Sequence, residues 1–195
     1  FSTNLSKIIH RNINIIDLLS IFKRVNLSIS VDGYGKSVEY SRHGFKWDNF
    51  INNLNYTKKV KKSLIQGLVC VVNIYSVYSI PLLAQFCAKN KFNLVFLPCL
   101  EPEFLSIQSL PIEEKEKIIK YYQSIEKSGK LFFSKKISSE VLGYMMKEQL
   151  DSYSINKTKY NCNEEFKKFN SLIDKTRKQN FKESFPMLSN WYDSI

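Results

Sequence analysis

Glycine and proline are scarce in this chain, six and five among 195 residues. That weighs against a sandwich built of many tight turns and favours a fold containing helices. Histidine is scarcer still, and His10 and His43 form no metal pair. The four cysteines, Cys70, Cys87, Cys99 and Cys162, have no spacing typical of metal ligands, and three lie in apolar segments. Reduced, buried thiols in a cytoplasmic protein are therefore expected. No apolar run reaches the ~18 residues of a membrane span. The longest, LIQGLVCVVNIYSVYSIPLLAQF, is broken by Gly67, Asn73, Ser76 and Pro81, so no membrane partner is expected. The chain opens at Phe1 without an initiator Met, a basic leader or a cleavage site. A longer parent chain is the expectation.

Acidic residues are also in deficit, 18 against 29 lysines and arginines, for a net charge of +11. A polyanion such as nucleic acid is one partner class that this charge allows. A lysine-rich composition spread over helices such as EEKEKIIKYYQSIEKSGK gives the same number without one. What is abundant is apolar mass: 44% hydrophobic residues with 14 Phe and 11 Tyr. A chain so composed folds rather than staying disordered.

The pattern of that mass alternates between two periods. FSTNLS reads as the tail of a strand and a turn. From Arg11, the positions of Ile13, Ile15, Ile16, Leu18, Leu19 and Phe22 predict a helix. Val25, Leu27, Ile29 and Val31 alternate with polar residues, predicting a strand with a polar carboxyl end at Ser30 and Asp32. KWDNFINNLNYTKKVKK predicts a helix, GLVCVVNIYS a strand, IPLLAQFCAKN a helix and FNLVFLPC a strand stopped by Pro98. Such alternation implies a parallel sheet with helices outside, all its strands pointing their carboxyl ends to one edge. The polar residues closing those strands become the site candidates. Beyond residue 105, Pro111 opens a helix with Glu113, Glu114 and Glu116 following. SSEVLGYMMKEQLDSY and CNEEFKKFNSLIDKTRKQN predict two more, with polar linkers near Ser138 and at 156–161. The expected division is residues 1–105, a sheet domain, and 106–195, a helical extension.

Several motifs can be set aside. GYGKS ends like a phosphate loop, but Ser30 stands where the first glycine must be. Val38 occupies the third glycine position of a dinucleotide fingerprint, and no mirrored strand follows Asp32-Gly33 to make a hairpin. Arg42 could hold a carboxylate or phosphate bidentately, or could pair on the surface with Glu39 or Asp48. Ser30 and Asp32 could bond ribose hydroxyls, or could cap the turn that follows.

ISVDGYGKSVEYSRHGFKWDNFINNL resembles the fourth strand and following loop of radical S-adenosylmethionine enzymes that carry a short twitch extension. FSTN resembles the end of that family's third strand, usually Thr-Asn-Gly. LVCVVNIYSVYSIPLL is similar to its fifth strand, and LPCLEPEFLSIQSLPIEEKEKII to its sixth strand and trailing connection. LIDKTRKQNFKESFPMLSNWY is similar to its ending of Asp, Arg and Phe-Pro-x-Leu. The resemblance covers nearly the whole chain. It implies a partial (β/α) TIM-like barrel with four parallel strands plus a helical extension, the last part of a six-stranded barrel. It implies S-adenosylmethionine and a 4Fe-4S cluster as cofactors, an electron donor, and hydrogen abstraction from a substrate that a peptide could supply. It places Thr3, Asn4 and Ser30 near the ribose with Asp32 supporting the turn. Arg42 falls at the carboxylate, Asn73 at the barrel mouth, and Leu97-Pro98 near the adenine. Leu5 stands where the family has glycine. The Cys-x-x-x-Cys-x-x-Cys cluster loop and the Gly-Gly-Glu stretch are absent from this sequence, so the chain by itself is expected to be inactive. The rival expectation is a basic, non-catalytic α/β protein that binds nucleic acid or serves as a scaffold.

Overall fold

The computed structural model describes residues 1–129, 137–143, 145 and 162–195. Strands β1 (Ser2–Thr3), β4 (Leu27–Ser30), β5 (Ile65–Val72) and β6 (Leu94–Pro98) form one parallel sheet in that spatial order. Order in space follows order in the chain, so the sheet winds in one direction only. Between the strands run α1 (Ile15–Ser20), α2 (Lys36–Ser41), α3 (Trp47–Lys61) and α4 (Ile80–Asn90). The fold is thus α/β with a four-stranded parallel sheet, as the alternation of periods implied; no closed barrel is formed by the described residues.

One expectation is corrected near the start. Helix α1 spans only Ile15–Ser20, and the residues before it form a hairpin of β2 (Ile9–His10) and β3 (Ile13–Asn14). Arg11 and Asn12, at φ 46° and 64°, make the turn. Two consecutive left-handed residues match the right-handed twist of a hairpin, and Asn tolerates them well. Ile13 and Ile15 alternate as readily as they repeat helically, which is why their spacing misleads. The Asn14 side chain then caps α1 by accepting from the amides of Ile16 and Asp17.

In a parallel ladder, register partners point to the same face. Ile29 pairs with Leu68, and Cys70 with Phe96; these four, with Leu27, Val31 and Val72, are buried in the main apolar cluster. Helices α3 and α4 meet across Phe86, whose ring lies 5.7 Å from Trp47 and 6.5 Å from Phe50. The opposite face carries Ser28, Ser30, Val69, Val71, Val95 and Leu97, and is open: Val95 and Leu97 are exposed. Gly67 is required where β5 meets the start of β6, because a Cβ there would lie 2.8 Å from the Asn93 carbonyl oxygen.

The remaining helices are α5 (Ile112–Ser128), α6 (residues 137–143), α7 (Asn163–Arg177), α8 (Phe181–Ser184) and α9 (Ser189–Ser194). Of the polar linker expected near Ser138, Ser138 itself is helical and buried, and residues 130–136 lie outside the described residues. The linker at 156–161 and the end of SSEVLGYMMKEQLDSY lie outside the described residues. α5 joins the sheet domain where the Tyr122 hydroxyl donates to the Val77 carbonyl at 2.6 Å. Helix α7 joins it through a buried polar seam considered next.

Candidate ligand site at the carboxyl edge of the sheet

β4 ends in polar residues, and the chain then makes a sharp exit through Gly33 at φ 125°. A Cβ at that position would come 2.5 Å from Ser37 Oγ and 2.8 Å from Ser79 Oγ, so glycine is demanded by space as well as by backbone. Those two hydroxyls are the fastening: the Tyr34 amide faces both at 3.2 Å, and they lie 2.9 Å apart. Ser79 donates onward to the Ser76 carbonyl. The loop after β4 is in this way fixed to the turn after β5.

Six residues of α2 follow, an element that sequence periodicity leaves unseen. Its C-cap is Arg42, whose extended backbone at φ −116° and ψ 93° turns the side chain back toward β4. Arg42 Nε donates to Asp32 Oδ2 at 3.0 Å, and Nη2 approaches the same oxygen at 2.6 Å and Ser30 Oγ at 2.9 Å. Asp32 Oδ1 accepts from the Val71 amide at 2.9 Å, tying β4 to β5. Ser30, Asp32 and Arg42 are therefore assembled into one cluster at the sheet's carboxyl edge. The surface pairing of Arg42 with Glu39 or Asp48 does not form; Glu39 instead accepts from the Trp47 amide at 2.7 Å, at the N-terminus of α3.

The other candidates stand along the same edge with different degrees of freedom. Thr3 Oγ1 accepts from the Leu5 amide and Asn4 Oδ1 from the Ser6 amide. Both turn bonds leave side-chain donors unused. Leu5 itself is buried at φ 52°, a left-handed backbone that favours glycine. Asn53 on α3 steadies this turn by donating to the Leu5 carbonyl at 2.8 Å. Asn73 lies one residue past β5, buried, and its Oδ1 accepts from the Ser76 amide; its acceptor is occupied within the turn. Pro98 closes β6 opposite Val72. With strands about 4.8 Å apart, β1 to β6 spans roughly 14 Å of edge.

What holds α2 in position comes from far downstream. The Tyr40 hydroxyl lies 3.0 Å from Asn170 Oδ1 and 2.9 Å from Asp174 Oδ1. Tyr75 donates to Asn170 Oδ1 at 2.9 Å, and Asp174 Oδ2 accepts from the Phe181 amide at 3.0 Å. Arg177 and Gln179 donate to the carbonyls of Tyr40 and Glu39, satisfying two acceptors that the last turn of a helix leaves open. Burial drives the Tyr40 and Tyr75 hydroxyls well above the usual phenol range, with the Asp174 carboxylate raising Tyr40 further. The resemblance singles out Asp174 and Arg177 in the ending motif without a role, while Tyr40, Tyr75, Asn170 and Gln179 escape the sequence reading.

The thiols are poor metal ligands. Burial pushes Cys87 up to about 12 and Cys70 higher, and the Asp32 charge adds to the rise at Cys70 and Cys99. All four are free and buried, and no cluster of three potential ligands exists among the described residues. Thiols that do not converge cannot supply the set of thiolates that such a cluster needs. These residues do not fit a 4Fe-4S cluster.

Compared with protein-family models, curated proteins and solved structures, the chain has no match in any of the three.

Proposed function

We propose that this chain is the carboxyl-terminal part of a radical S-adenosylmethionine enzyme, a partial (β/α) barrel whose carboxyl edge takes the nucleoside and amino-acid portions of that cofactor. The observation that carries the proposal is the return of Arg42 onto Ser30 and Asp32 at the end of β4. A guanidinium held by one carboxylate at an open edge keeps donors for a second, and a carboxylate-bearing ligand is the group it suits. Two features support it. The strand order runs one way across the sheet, as in a barrel segment, with no reversal to form a doubly wound crevice. Leu5 adopts a glycine-like backbone where the resemblance has glycine.

In this reading Ser30, Thr3 and Asn4 bind ribose hydroxyls, Asp32 orients Arg42, and the backbone at Leu97-Pro98 borders the adenine. The cluster that delivers the electron is bound by a cysteine loop this sequence does not contain, so no step of the chemistry is assigned to these residues beyond binding and orientation. Residues 106–195 form the twitch-like extension. The hydrogen-donating substrate, for which a peptide is one option, and the electron donor belong to the complete enzyme.

Calorimetric titration of the 195-residue chain with S-adenosylmethionine and S-adenosylhomocysteine tests the binding half directly. Saturable binding is expected, weakened at least about tenfold by Arg42→Ala, since a charge-assisted pair contributes about 1.5–3 kcal/mol. A folded wild-type chain showing no heat and no perturbation of Trp47 fluorescence at millimolar ligand sinks the proposal.

A further inference from the structure

The opposite edge of the sheet carries a charge pattern that ligand binding at the carboxyl edge does not use. From residue 49 to residue 100 the sequence contains no aspartate or glutamate, yet it contains six lysines. A second acid-free stretch runs from 18 to 31 and holds Lys23 and Arg24. The fold gathers both sets. Helix α1 ends before β4, α3 ends before β5, and α4 ends before β6; the three connections therefore meet at the amino edge of a parallel sheet. Contacts join them side by side. Lys61 Nζ donates to the carbonyls of Ser20 and Phe22 at 3.2 and 2.9 Å, linking the second connection to the first. Lys58 Nζ lies 2.8 Å from Asn90 Oδ1, linking the second to the third.

The remaining bases, Lys23, Arg24, Lys59, Lys62, Lys89 and Lys91, are exposed. Helix dipoles account for a lysine or two at the end of α3 and of α4. They do not account for Lys23, Arg24, Lys62 and Lys91, which lie outside α1, α3 and α4, or for the lack of acids between residues 49 and 100; the flanking carboxylate, Asp17, is taken up by the Tyr56 hydroxyl at 2.7 Å. Exposed Asn26, Ser63, Gln66 and Asn93 stand among the bases, and Phe22 offers one exposed ring. Lysines interleaved with uncharged hydrogen-bonding side chains suit phosphates and sugars, and a lone ring suits stacking on a base. Ile21 is exposed beside Phe22, but an insertion surface for lipid would have to continue across the second and third connections, where Ser63, Gln66 and Asn93 stand instead.

We infer that the amino edge of the sheet, from Lys23 to Lys91, binds the phosphodiester backbone of a single-stranded nucleic acid without reading its sequence. This site lies on the edge opposite Arg42 and is independent of S-adenosylmethionine binding.

Fluorescence anisotropy with a labelled oligouridine of about 20 nucleotides, over a salt series, tests it. If three or four phosphates are neutralised, log affinity falls against log salt with a slope of about −2 to −3. Lys59→Glu/Lys62→Glu and Lys89→Glu/Lys91→Glu should each weaken binding at least tenfold at low salt and flatten that slope. Lys120→Glu/Lys127→Glu on α5 changes net charge equally, and should stay within about twofold of wild type. Acetylation footprinting of the wild-type chain guards against misfolded variants: oligouridine should protect Lys59, Lys62, Lys89 and Lys91, and leave Lys120 and Lys127 reactive. Equal weakening by the α5 pair, uniform protection, or binding to phosphatidylserine vesicles without binding to oligouridine overturns the inference.

Discussion

Two carboxylates in this molecule do similar work in different surroundings. Asp174 accepts from the Tyr40 hydroxyl and the Phe181 amide beside the fully buried Asn170, and the Tyr40 ring packs edge-on against Phe181 and Phe185. Asp32 accepts from the Val71 amide and from Arg42, but its side chain is 13% exposed and that of Arg42 29%. Each ties together elements distant in the chain. At the first, the carboxylate is half-buried as Asp32 is, but both donors are neutral and belong to the buried residues Tyr40 and Phe181, the arrangement of a structural bolt. At the second, the partner is a guanidinium at an open edge with donors left over. The burial and unused hydrogen-bonding capacity of the donors, more than the presence of a carboxylate, separate a fastening from a site.

Four measurements break or sharpen that contrast. The largest effect is alkaline unfolding. Burial raises the hydroxyls of Tyr40, Tyr75, Tyr78 and Tyr122 above the ordinary value of 10.0. Above that pH the unfolded chain releases protons which the folded chain retains, so their contribution is complete below about pH 10 and lost as pH rises further. Tyrosinate absorbance from these four and loss of helical circular dichroism should coincide above about pH 10. Ionisation of all eleven tyrosines ahead of unfolding would show that the seam is not sealed.

Next in size, Asn170→Ala removes the acceptor shared by two buried hydroxyls and should cost about 2–4 kcal/mol in urea unfolding. Arg42→Ala should cost about 1 kcal/mol or less, because its ion pair with Asp32 is part-exposed. Equal costs for the two would erase the distinction drawn above and remove Arg42 as a ligand group. The smallest effect is a gain: Lys178 closes α7 at φ 52° and is exposed. Lys178→Gly should raise stability by about 0.5–1 kcal/mol, measured in the same urea titration. A loss there would mean that this side chain contributes to the seam beside it.

Legibility in the sequence followed the range of the forces involved. Leu27 and Ile29 alternate, the residues of α4 repeat helically around Pro81, and Pro111 announces α5; each is a local pattern, and each element formed where expected. Ser30 and Asp32 could be named because a strand end is also local. The pairing of Arg42 with Asp32 was not legible, since it depends on α2, a helix too short for periodicity to reveal. The hairpin at Arg11 and Asn12 was hidden because isoleucines serve both periods equally well. The seam was least visible of all: Tyr40 and Asp174 are 134 residues apart, and no pattern within a window connects them.

That separation orders events in time. A ribosome adding roughly 5–20 residues per second needs roughly 7–27 s to pass from Tyr40 to Asp174. During that interval β4 to β6 can pair, yet α2 has no partner for its tyrosine hydroxyl and no donors for its last carbonyls. The edge bearing Arg42 is thus completed only when α7 and α8 arrive, so a nascent chain would acquire its sheet early and the fixed position of α2 last.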